Sequence, residues 1–153
     1  MAKRKISITT AIVALIIIGI VLTLNTFAAI TTSTNVSSTG VVSTSANLGV
    51  YSNSGCTTSL SSIPWGTLTS GGTTTYTIYV KNTSSGLSLT LNMTTTSWSP
   101  ASANGPITIT WNQQGTDLQP GASTTATLTL TVSSSIVDIT SFSVNIVIGG
   151  TSP

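Results

Sequence analysis

The chain has 153 residues, 39% of them hydrophobic, but only four basic and two acidic side chains and no histidine. Three of the basic residues, Lys3, Arg4 and Lys5, stand together at the start, and beyond residue 29 only Lys81 remains against Asp117 and Asp138, a side-chain sum of −1. So neutral a body excludes the basic footprint of a nucleic-acid-binding domain and gives an anionic membrane surface little to attract.

The basic cluster is followed by an apolar run over residues 11–24 and then by Asn25-Thr26-Phe27-Ala28-Ala29. A charged start, an apolar middle and a small-residue exit make a secretory signal. Lys and Arg hold the start on the cytoplasmic side. Thr26 and Ala28 are the small residues that a cut after Ala28 requires, and Ala29 would serve equally as the last residue removed. A retained anchor is the rival reading, because residues 6–30 carry no charge and are long enough to span ~30 Å of hydrocarbon as a helix. A pilin-type leader fits less well, since Arg4-Lys5-Ile6 lacks the Gly or Ala expected at such a cut. In each case the remainder is expected to be exported, to the cell surface or beyond. If residues 1–29 stay uncleaved, they tie the chain to the membrane.

Residues 30–45 are a Ser/Thr-rich lead-in, and residues 46–153 are expected to form one β-domain. From residue 30 onward, 52 of 124 residues are Ser or Thr. Disordered chains usually combine low hydrophobicity with high net charge, and this one has neither. Its threonines alternate with Leu, Ile, Val and Tyr, which is a strand pattern. Hydroxyls stay hydrated without titrating, which suits surroundings of extreme or variable pH. Low net charge also leaves little repulsion between copies.

In chain order, residues 30–36 read as extended, and residues 41–52 as one or two strands with Leu48, Val50 and Tyr51 inward. Asn53-Ser54-Gly55 is a turn. Residues 56–68 read as irregular, with Pro64 breaking pairing and Trp65 plugging one end of the core. Residues 74–82 alternate with Tyr76, Ile78 and Val80 inward and Tyr79 and Lys81 outward. A hairpin-type connection is expected at 82–86. Residues 87–95 place Leu87, Leu89, Leu91 and Met93 inward. Residues 107–111 bury Ile107, Ile109 and Trp111, and residues 112–121 form a loop. Residues 123–133 bury Ala126, Leu128, Leu130 and Val132. A helical turn fits 133–140, and residues 142–148 bury Phe142, Val144, Ile146 and Ile148. Strands with one wet and one apolar face at this spacing predict two packed antiparallel sheets, an immunoglobulin-like sandwich of about seven strands.

The exported part has no His, Glu or Arg. General acid–base chemistry lacks its titratable groups, a hydroxyl nucleophile lacks an activating base, and one Cys without His cannot hold zinc. Asp117 and Asp138 read as turn formers. No catalytic, cofactor or metal residue is therefore expected, and the protein reads as non-enzymatic. Cys56 is single, so an intrachain disulfide is impossible; it reads as a small buried residue, with an intermolecular disulfide as the alternative. Three sequons, Asn35-Val-Ser, Asn82-Thr-Ser and Asn92-Met-Thr, are candidate N-glycosylation sites, Asn82 in a loop and Asn92 on a polar strand face. So Ser/Thr-rich a chain also produces sequons by chance. Tyr51, Trp65, Tyr76, Tyr79, Trp98 and Trp111 are candidates for lining a carbohydrate groove, but they read first as core and end-plug packing, with Tyr79 the outward exception.

Leu48-Gly49-Val50-Tyr51, Cys56-Thr57, Ile63-Pro64-Trp65-Gly66, Tyr79-Val80-Lys81-Asn82, Trp98-Ser99-Pro100, Trp111-Asn112 and the Phe142 strand ending Ile148-Gly149-Gly150 resemble a group of small secreted archaeal proteins with an immunoglobulin-like sandwich. Where that group carries Pro-Gly before the Tyr strand, this chain has Gly71-Gly72. The wider architecture is similar to archaeal thread and bundling-pilus subunits. That resemblance implies a structural role without catalytic residues, in which an N-terminal strand of one subunit completes the sandwich of the next. Residues 30–36, alternating Ile30, Thr32, Thr34 and Val36, are the candidate donor, and a homopolymer is the implied partner. The competing reading is a tethered or secreted adhesion or ligand-binding module, with residues 30–36 a tether or simply a first strand.

Overall fold

The computed structural model describes residues 36–44 and 47–152. The signal or anchor at 1–29, its cleavage at Ala28 or Ala29, residues 30–35 and sequon Asn35 lie outside the described residues.

Nine strands follow in order: β1 (Val36–Thr44), β2 (Leu48–Tyr51), β3 (Ser62–Leu68), β4 (Thr73–Asn82), β5 (Leu89–Ser99), β6 (Ile107–Trp111), β7 (Asp117–Leu118), β8 (Ser123–Val132) and β9 (Ser141–Thr151). They form a five-stranded sheet in the order β3-β1-β9-β5-β7 and a four-stranded sheet in the order β2-β4-β8-β6. The described chain is thus all-β, two sheets facing one core. Its only helical piece among the described residues is a 3-10 turn at Ala101–Ala103.

The alternation read from sequence builds this core. Side chains on successive strand residues point to opposite faces, so Ile78 and Val80 of β4, Ala126, Leu128, Leu130 and Val132 of β8, and Phe142, Val144, Ile146 and Ile148 of β9 enter together. Each fully buried Leu, Ile or Val contributes about 1.5–3 kcal/mol. β4 and β8 pair without a break from Thr73↔Thr131 to Lys81↔Ser123. A one-residue slip there would turn both apolar faces to water, so the register is strongly specified.

Several expectations are corrected. Nine strands replace about seven. β1 pairs antiparallel with β3 but parallel with β9, from Ser37↔Ser141 to Thr44↔Ile148, so the sandwich is not wholly antiparallel. Residues 62–68 are not irregular. Ile63, Trp65 and Leu68 are buried, and a bulge that skips Trp65 between Ser38↔Gly66 and Thr39↔Pro64 breaks the alternation. Gly66 takes φ +71° there, a conformation that glycine adopts without strain. Pro64 is tolerated because β3 is an edge strand. Residues 82–86 are not a hairpin connection, because β4 and β5 belong to different sheets. Leu87 lies just before β5 and is 52% exposed. Tyr51 faces outward, following the parity that turns Leu48 and Val50 inward. At 133–140 there is no helical turn: Ile136 and Ile139 both enter the core, and Asp138 between them takes φ 60°.

Candidate functional site

With no catalytic constellation expected, the features that can engage another molecule are strand edges and sheet faces. The two flanks of the sandwich differ. On the first, β3 and β2 end their sheets, and residues 56–61 run between them. Leu60 N–H donates to Val50 C=O at 2.9 Å, Ser52 N–H to Thr58 C=O at 2.9 Å, and Val42 N–H to Ser61 C=O at 3.2 Å. Asn53 holds this segment, its Oδ1 accepting from Thr57 N–H at 3.1 Å and Thr58 N–H at 2.9 Å.

The second flank is formed by β5 with β7 and by β6. β7 covers β5 only at Leu89↔Leu118 and Thr90↔Asp117. Beyond it Leu91 N–H donates to Thr116 C=O, and Met93 N–H donates to the side chain of Gln114 at 3.0 Å. Leu91 and Met93 therefore direct their amides away from β9, and by alternation Thr95 does so too. No strand lies on that side of Thr95 among the described residues. The same Gln114 Oε1 accepts from Trp111 Nε1 at 2.9 Å. Between β5 and β6 lies a recess of about 240 Å³ lined by Met93, Ile109, Thr110, Trp111 and Gln114. Unpaired edges of this kind accept an added strand.

β1, within the lead-in, occupies an inner slot of the five-stranded sheet, between β3 and β9. Its inward residues are Val36, Ser38, Gly40 and Val42. Ser38 Oγ and Trp65 Nε1 are buried without a hydrogen-bond partner among the described residues, each a desolvation cost of about 1–3 kcal/mol. A Cβ on Gly40 would meet Trp65 Nε1 at 3.2 Å and Ile146 Cδ1 at 3.4 Å, so the slot is tight at that point. Where β1 meets β9, a recess of about 260 Å³ is lined by Ser37, Ser38, Thr39, Ser141 and Phe142.

Of the sequon residues, Asn82 is buried and not exposed. Its Nδ2 donates to Leu87 C=O and Leu118 C=O, both at 2.8 Å, and its Oδ1 accepts from Ser84 N–H at 3.0 Å. It ties the β4–β5 and β7–β8 connections together, so its amide nitrogen is committed within the fold. Asn92 is half-buried on the outer face of β5, lying against Gly149, its cross-strand partner. Asp117 accepts from Thr90 Oγ1 at 2.6 Å on β7, and Asp138 lies in a bend. The turn reading of Asp117 therefore gives way to a two-residue strand. Cys56 is free and half-buried in the β2–β3 loop, outside the core. Its expected burial is thus not met. Among the described residues no helix is long and apolar enough to cross a membrane. No protein-family model matches the chain, and no curated protein matches its sequence.

Proposed function

We propose that this is a non-enzymatic exported cell-surface protein, a filament subunit assembled by β-strand donation, and that its sandwich is immunoglobulin-like. The observation that supports this most is the second flank, an apolar recess beside a backbone edge with no strand on it among the described residues. Val36 of the candidate donor 30–36 is buried in β1 of its own sandwich, so the occupant we assign is residues 30–35 of a neighbouring copy, whose Ile30, Thr32 and Thr34 alternate as a strand requires.

The topology favours donation by this segment over exchange of β1 itself. β1 ends at Thr44 opposite Ile148, and β2 begins at Leu48 opposite Asn82. Only three residues link them, a reach of about 10 Å. A β1 that left its slot would hold two copies by like ends, and reciprocal exchange would close them into a dimer. The lead-in instead enters at the opposite end, where Ser37 pairs with Ser141. It would join its own end to the flank of another copy. Those surfaces are unlike, so the contact propagates. The near-neutral surface permits close packing of copies.

The test is electron microscopy of native surface material, with the N-terminus of the protein sequenced from the same sample. Filaments of a chain beginning near Ala29 or Ile30, lost on deletion of residues 30–35, support strand donation. Single particles that retain residues 1–24 contradict it and leave a membrane-tethered module.

A further inference from the structure

On the outer face of the four-stranded sheet, parity and register place the exposed side chains in rows. Tyr51 of β2 stands opposite Tyr79 of β4, and Tyr79 opposite Thr125 of β8. The next row is Thr77↔Thr127. Both tyrosines are half-buried, and neither takes part in the two aromatic pairs of the described structure, Trp65–Tyr76 and Trp98–Phe142. The Tyr51 ring passes over Gly49: a Cβ there would sit 2.6 Å from Tyr51 Cζ. Any side chain at position 49 would lift it off the sheet.

We infer that this face is a binding site for a neutral hexopyranose glycan, with Tyr51 and Tyr79 as its platform. A pyranose has an apolar C–H face and a rim of hydroxyls. A flat aromatic ring matches the first, and the threonine hydroxyls, each both donor and acceptor, match the second. Tyrosine provides such area at low entropic cost, having only two side-chain torsions. Charge narrows the ligand class. The only ionic side chain in these rows is Lys81, opposite Gly49, too little for a nucleic acid or another polyanion. The face belongs to the sheet that does not contain β1 or β5, so the inference stands independently of strand donation.

The test is affinity electrophoresis of the detergent-solubilised full chain through native gels containing mannan, a neutral β-glucan or, as the polyanion, alginate. Retardation by at least one neutral polysaccharide and not by alginate is expected. Tyr51→Ala and Tyr79→Ala should each weaken it at least tenfold, Gly49→Ala should weaken it with both tyrosines present, and Thr73→Val, at the far end of the face, should leave it unchanged. Thermal unfolding of each variant verifies folding. No retardation by either neutral gel, or tyrosine variants retarded as strongly as the unsubstituted chain, overturns the inference. Filaments formed by Tyr51→Ala would separate its failure from any failure of strand donation.

Discussion

The two flanks of the sandwich solve the same problem differently. On the first, residues 56–61 lie along β2 and β1 and donate or accept main-chain hydrogen bonds at Leu60, Thr58 and Ser61. On the second, a two-residue strand and the side chain of Gln114 cap β5 only as far as Met93. The first flank is closed by backbone. The second is closed halfway, by β7 and a side chain, and beyond that no strand lies on it among the described residues. An edge strand left open is an aggregation hazard that proteins ordinarily cover, twist away or charge, and the outward side chains Thr94 and Thr96 carry no charge. On this account the open half is kept for a strand from another copy.

Proline substitution breaks the comparison most sharply, because it removes one N–H. Leu60→Pro deletes the donor to Val50 C=O and disturbs a side chain packed on the core. It is expected to cost about 3 kcal/mol, read as a fall in the urea midpoint. Asn53→Ala removes the acceptor of two loop amides on the same flank and should cost about 2 kcal/mol, with faster amide exchange across 56–61. On the open flank, Thr95→Pro removes an N–H with no strand partner and the Oγ1 that accepts from Trp98 Nε1. It should cost the free subunit only about 1 kcal/mol while abolishing filaments in negative stain. An equal loss of stability at Leu60→Pro and Thr95→Pro would remove the distinction between the flanks. The smallest effect belongs to the β1 slot. Ser38→Ala deletes a buried hydroxyl without a partner and should leave stability unchanged or raise it by about 1 kcal/mol, measured by thermal unfolding.

Sequence made the inner strands legible and the flanks obscure, for physical reasons. β4, β6, β8 and β9 alternate because each has one face on the core, and their inward residues were readable one by one. Asn82 was missed although it continues the parity of Ile78 and Val80. Its polar type suggested a loop, whereas its burial depends on carbonyls of Leu87 and Leu118, one of them 36 residues away. β3 was missed because the bulge at Trp65-Gly66 breaks the alternation. β7, two residues long, is too short to show any period. The open edge at Thr95 was invisible because it is defined by where β7 stops, a tertiary fact. Tyr51 was expected inward although the parity of Leu48 and Val50 turns it outward, and its position over Gly49 depends on that residue's absent side chain.

Strand donation is tested most directly by cross-linking the proposed donor to the proposed acceptor. Ser33→Cys in the lead-in is combined with Thr94→Cys, exposed on β5, in a Cys56→Ser background that removes the free thiol. A short bismaleimide is added to native assemblies. The account predicts a ladder of dimers, trimers and longer species that requires both introduced cysteines. A product confined to monomer, or a dimer formed equally well by either single variant, would contradict it.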